Sequence, residues 1–189
     1  MFNKIKREWL LLAAFVALAL PPLRQFLEQS MVTHMLVQIP ILAIIGWMIG
    51  KSLPANWKNK IASWNQWGIT GMALAIVIMT YWMLPRALDA AISEWYFELI
   101  KFITIFIMGM SLSLSWPLLH PIAQGVFKLE FWATFMRLGW LYLDLPDRLC
   151  ANYLLSDQRI LGQLLLLGGS AWAIAWVFRI MFGTKIINT

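Results

Sequence analysis
Long apolar runs separated by short polar gaps dominate this chain. They fall near residues 9 to 23, 31 to 50, 67 to 84, 102 to 119, 126 to 145 and 160 to 178. Most approach the roughly 20 apolar residues that a helix needs to cross a bilayer, so the pattern predicts an all-α fold, a polytopic transmembrane bundle of about six spans. The longest clear gaps, Lys51 to Gln66 and Pro85 to Phe97, are too short to fold separately, which makes residues 1–189 a single integral membrane domain. Two runs are weaker. The first ends at Pro21 and Pro22, and its basic start with Ala17-Leu18-Ala19 also fits a cleaved secretory signal; it is expected to be retained, and a chain ending in a later helix stays membrane-bound in either case. The fifth is interrupted by Arg137 and is closer in apolar length to a core helix, but it carries carboxylates that can partner that arginine. No internal repeat is visible, which disfavours an inverted-repeat transporter.

Composition agrees. With 61% hydrophobic residues and a mean hydropathy of +0.70, the chain lacks the polar residues to clothe a soluble domain, so lipid must cover its outside. The net charge of +6 does not indicate a nucleic-acid binder, because no basic cluster is longer than Lys4, Lys6 and Arg7. It reads as orientation. If the first helix enters from the cytoplasm, both termini are cytoplasmic, and Lys4, Lys6, Arg7, Lys51, Lys58, Lys60, Lys128, Arg179 and Lys185 lie inside. Only Arg24, Arg86, Arg148 and Arg159 fall outside, with Lys101 and Arg137 unassigned. Glu28, Asp89, Glu94, Glu98, Asp144, Asp147 and Asp157 lie outside as well, whereas Glu8 and Glu130 lie inside. Trp47, Trp57, Trp64, Trp67, Trp82, Trp95, Trp116 and Trp132 fall near span ends, where amphipathic rings favour the interface.

Candidate chemistry is sparse. Met31, His34, Met35 and Gln38 follow i, i+3, i+4, i+7 spacing and share one helix face just before Pro40. Thioethers and imidazole suit cuprous copper; the competing reading is methionine as filler and His34 bonded to a neighbouring helix. Met79 and Met83 approach the same outer side, Met83 lying just before Pro85. Glu130, Arg137 and Asp144 are spaced by seven, one stripe two turns apart, a spacing of about 10.5 Å that is long for direct pairing, although arginine's reach narrows the gap to Asp144. Such a stripe is either a structural ion pair or snorkel, or part of a proton path. Lys101 and Arg137 both reach toward an interface in this picture. The single cysteine, Cys150, excludes an intramolecular disulfide and any CxxC motif, and reads as a small packing residue. Two histidines, with His120 at the cytoplasmic mouth, cannot build a multi-histidine haem or zinc site. Gly168-Gly169, inside an apolar run, reads as close helix packing.

Several segments together resemble the CtaG-type cytochrome c oxidase assembly factors, polytopic bacterial membrane proteins. Ser30-Met-Val-Thr-His34-Met-Leu resembles that family's His-Met-x-x-His-Met-Leu helix start. Trp82-Met83-Leu84-Pro85 with Leu88-Asp89-Ala90-Ala91 is similar to its Trp-His-Leu-Pro and Tyr-Asp-Ala-Ala-Leu stretch. Ser115-Trp116-Pro117-Leu118-Leu119 resembles a Trp-Trp-Pro helix end, and Ser156-Asp157-Gln158-Arg159-Ile160-Leu161-Gly162 an Asp-Gln-x-x-Gly entry to the last helix. The matches keep their order from about residue 30 to 178. The resemblance implies a role in maturing a haem-copper oxidase, supplying or holding copper on the outer side of the bacterial plasma membrane. The chain departs from the pattern at Ser30, at Met83 and in the fourth span, where family histidines are missing. Two outcomes follow: a mixed cuprous site of Met31, His34, Met35 and Met83, or a member that kept the bundle and lost the metal.

The expectation is therefore a non-enzymatic assembly or accessory protein, with lipid and a membrane complex such as a haem-copper oxidase as partners and copper as its metal. The alternative is a structural interaction subunit with no metal site. A transporter lacks a polar path in these spans. An enzyme lacks a defined acid–base pair, since Glu94, Glu98, Asp144 and Asp147 read more simply as a solvated outer rim.

Overall fold
A computed structural model describes residues 2–182, with side chains from residue 6 onward; Lys185 and the Lys4 side chain, counted above as cytoplasmic, lie outside the described residues. Every regular element among them is helical. In chain order these are α1 (Phe2–Ala19), α2 (Pro21–Glu28), α3 (Met31–Ser52), α4 (Ala55–Trp64), α5 (Ile69–Trp82), α6 (Pro85–Ser93), α7 (Trp95–Ser115), α8 (Pro121–Asp144) and α9 (Leu155–Phe182).

By length and composition α3, α7 with its following turn to Leu118, and α9 can each cross a membrane. Two further crossings are available if bent pairs count as one span each: α1 with α2, bent by 66°, and α4 with Gln66–Trp82, bent by 73°. Prolines make most of these breaks, because a residue before proline avoids helical ψ. Leu20 (ψ 138°) before Pro21 stops the first run at Ala19 rather than at residue 23. Leu84 (ψ 128°) before Pro85 and His120 (ψ 143°) before Pro121 separate α5 from α6 and start α8. The two gaps expected to be loops contain α4 and α6, and α7 begins at Trp95, seven residues ahead of the predicted 102.

The core is the pairing of α3 with α7, which run parallel. Small residues let their backbones touch: a Cβ on Gly46 would stand 2.2 Å from the Phe106 carbonyl oxygen, and one on Gly109 would stand 2.0 Å from that of Ala43. α1 lies beside α3 in the opposite sense, Arg7 Nη2 donating to Ser52 Oγ at 2.8 Å. α5 and α6 cover α7, and α8 and α9 form an antiparallel hairpin that meets the bundle where α9 passes the start of α3. The hairpin register is set by Gly139 against Gly162 and by Trp132 Nε1 donating to the Gly169 carbonyl at 3.1 Å. Two tryptophans expected in the interface are therefore internal fasteners. Trp132 bonds mid-helix, and Trp82, 2% exposed, donates to Thr104 Oγ1 at 2.8 Å. Of the glycine pair, Gly169 packs on Met136, while Gly168 faces open space.

Candidate functional site
The site begins where α3 begins. Ser30 is extended (φ −121°, ψ 140°), and its hydroxyl accepts from the Val32 N–H at 3.3 Å, so the residue that replaces a family histidine caps the helix. From His34 to Gln38 the helix widens to a π turn, Ile39 N–H reaching the His34 carbonyl. Pro40 gives a reason: it has no N–H for the Leu36 carbonyl and its ring crowds that oxygen, which a wider turn relieves. The face picked out by spacing is indeed the buried one. Met31, His34 and Gln38 are fully buried and Met35 is nearly so.

What fills the space before that face is Lys101 of α7, also fully buried. Its ammonium has three donors and meets three acceptors: Glu28 Oε1 at 2.6 Å, His34 Nε2 at 3.0 Å and Gln38 Oε1 at 3.1 Å. An ammonium only donates, so His34 Nε2 must accept, and the ring proton sits on Nδ1, 2.6 Å from the Tyr153 hydroxyl. Gln38 Nε2 donates to Glu28 Oε1 at 3.2 Å, closing the ring of contacts. A second pair flanks it, Arg24 Nη1 to Glu98 Oε2 at 2.7 Å, with Arg24 Nε 3.9 Å from Glu28 Oε2. Arg24 Nε and Glu98 Oε1 are buried without a hydrogen-bond partner. The cluster thus joins α2, α3 and α7 through charges drawn from distant parts of the chain.

Residues 145–154 strap over it. Asp89 of α6 accepts from the Ala151 N–H at 2.8 Å and the Asn152 N–H at 3.3 Å, which sets Tyr153 above His34. Gln158 of α9 holds the same strap by accepting from the Leu149 N–H at 2.9 Å and donating to the Tyr142 carbonyl at 3.3 Å. Burial, with the Glu28 carboxylate second, pushes the Tyr153 phenol above its usual range, so it stays a neutral hydrogen-bonding group. Burial and then the Asp89 charge push the Cys150 thiol up to about 12, and Sγ lies 3.6 Å from the Pro85 carbonyl. Cys150 is the packing residue expected of it.

The predicted metal residues are placed as follows. Met31 and Met35 share the buried face with His34, and Met35 Sδ accepts the Tyr142 hydroxyl at 3.8 Å. Met83 sits at the end of α5, half-buried against the core. Both His34 nitrogens are engaged, so a cuprous ion at Nε2 has to displace the Lys101 ammonium, and the arrangement as it stands does not fit a metal there. Among the described residues no group of three His, Cys, Asp or Glu side chains is placed to hold an ion.

Two charge assignments need correction. Lys101 does not reach an interface; it is the centre of the cluster. Glu98 is not part of a solvated rim but the half-buried partner of Arg24. The Glu130, Arg137 and Asp144 stripe holds the structural ion pair that was one of its two readings, Arg137 pairing with Glu130 and Thr134 bonded between them. Helical side chains lean toward the N-terminus, which carries the guanidinium to Glu130 and away from Asp144. Lys101 had one available signal in the sequence, a lysine at the edge of an apolar run; Glu28 and Tyr153 had none. Comparison of the chain with protein-family models, curated proteins and solved structures gives no match.

Proposed function
We propose that this chain is a multi-pass accessory protein of the bacterial plasma membrane, without catalysis of its own, that docks to a larger membrane complex through α8. The resemblance stated above makes a maturing haem-copper oxidase the partner, and it is the warrant for that name. In this reading α8 is a sixth span, both termini are cytoplasmic, and the basic end of the bundle faces inward.

The observation that carries the docking role is the exposed stripe Val126, Glu130, Arg137, Leu141 and Asp144. Trp132 and Gly139 bond and pack against Gly169 and Gly162, so the Glu130–Arg137 pair is level with the middle of α9. Arg137 and Glu130 are 65% and 48% exposed there. Lipid solvates such a pair poorly, an arginine at that depth costing at least ~2.5 kcal/mol, whereas a neighbouring helix with polar groups satisfies it. Replacing Glu130 and Arg137 together by leucine is expected to leave the protein folded in the membrane and to abolish co-purification of the oxidase. Retained co-purification contradicts the docking role.

A second reading keeps copper as cargo. It is favoured by the sharing of one buried face by Met31, His34 and Met35, with Met83 as the further sulfur proposed from sequence. It requires the Lys101 ammonium to leave His34 Nε2. Lys101→Met then tightens cuprous binding under reducing conditions, and His34→Ala removes it. If neither the native chain nor the Lys101→Met variant binds, the metal-free subunit stands.

A further inference from the structure
At the opposite end of the bundle from the charged cluster, α3, α4 and the end of α7 line a cavity of about 490 Å³ that opens to the surface. Its lining is mostly apolar, with Trp47, Ile61, Leu114 and Leu118 beside the polar Asn59, Asn65 and Ser113. Its rim is cationic. Lys58 folds back so that Nζ donates to the Lys51 carbonyl at 2.9 Å, and Lys51 Nζ rests 5.1 Å from the Trp47 ring centroid. Neither lysine forms an ion pair among the described residues, and no carboxylate lines the cavity. Two cationic side chains on one rim without a counter-charge leave that rim positive, and an anion seated there supplies the missing charge.

α4 shows where this rim lies. Its ten residues bury none of their side chains, Trp57 and Trp64 are exposed, and its axis turns by 73° from the following helix. A short helix that mixes lysine with tryptophan and lies across the end of a bundle is suited to the membrane interface. A cationic rim at headgroup level above an apolar wall is the complement of one amphiphile. We propose that the cavity binds an anionic phospholipid, its phosphodiester between Lys51 and Lys58 and its acyl chain along Trp47 and Leu114. The site needs only that the chain reside in a bilayer, and stands or falls apart from the oxidase reading.

The test uses the full chain purified in detergent, with native mass spectrometry and thermal unfolding in the presence of phosphatidylglycerol, phosphatidylcholine or inorganic phosphate. Phosphatidylglycerol is expected to be retained and to raise the unfolding temperature, phosphatidylcholine and inorganic phosphate to do neither. Lys51→Gln with Lys58→Gln is expected to weaken phosphatidylglycerol retention by roughly thirtyfold, and Lys60→Gln, exposed on α4 beside Lys58, to leave it unchanged. Equal retention of the two lipids overturns the proposal. So does equal weakening by Lys60→Gln, which marks a diffuse basic surface, or stabilisation by inorganic phosphate matching that by the lipid. Should the double glutamine variant not fold, the lipid comparison on the native chain decides, and Lys51→Arg with Lys58→Arg is expected to keep the preference.

Discussion
Lys101 has no water to retreat to, so its three acceptors are a condition of folding. A charge taken from water costs several kcal/mol, and what restores it here is the Glu28 carboxylate at 2.6 Å with His34 and Gln38 filling the remaining donors. Breaking such a pair from one side is worse than removing both charges. Glu28→Ala is therefore expected to cost about 3–5 kcal/mol, and Glu28→Ala with Lys101→Met distinctly less than Glu28→Ala alone. Reversible unfolding in mixed micelles measures both; a double variant that loses as much as Glu28→Ala or more would show that the two residues do not depend on each other. His34 was legible in sequence because i, i+3, i+4, i+7 spacing survives the π turn well enough to keep Met31, His34, Met35 and Gln38 on the inside. Its partners were not, since Lys101 lies 67 positions away and Tyr153 119, and no local pattern announces a contact across such distances.

Among the elements, the strap of residues 145–154 matters most, because it sets Tyr153 over the cluster and has no regular structure of its own. It hangs on Asp89 and Gln158, two of the residues that carry the resemblance in sequence. Their role in the fold is to hold the cover. Cys150 reports on it. Buried at 2% exposure with a thiol held up to about 12, it is expected to resist maleimide in the native protein, and Asp89→Ala to raise its labelling rate at least tenfold. Unchanged labelling would mean that Asp89 does not hold the strap. The sign of the pH effect follows. The folded thiol keeps its proton above its usual 9.0, so its share of stability is whole below pH 9 and is lost as pH rises from there toward about 12, the unfolded chain ionising first. The unfolding midpoint should fall between pH 8 and pH 10.5, and fall less in Cys150→Ala; an equal fall would contradict the burial. At this scale the sequence reading was best where apolar runs are unbroken, as in α3 and α9. It failed at the start of α7, where Glu98 and Lys101 look like the edge of a span until Arg24 and Glu28 are seen to meet them.

For the molecule as a whole, two unequal parts emerge. α1 to α3 and α5 to α7 pack around a buried core that the α8–α9 hairpin joins through Tyr142, Leu161 and Leu165, while the hairpin leaves most of its surface bare. Bare leucine, isoleucine and phenylalanine along α9 are what lipid requires, Leu167, Ile174 and Phe178 among them. Bare Glu130 and Arg137 on α8 are not. That contrast between two faces of one hairpin is the basis for a protein partner at α8. The most direct measurement is site-specific photocrosslinking in native membranes, with a benzoylphenylalanine at Leu141 on the stripe and another at Leu167 on α9. The account predicts that Leu141 yields an adduct with a subunit of a haem-copper oxidase, lost when Glu130 and Arg137 are both leucine, while Leu167 yields lipid adducts. Lipid adducts alone at both positions would contradict it.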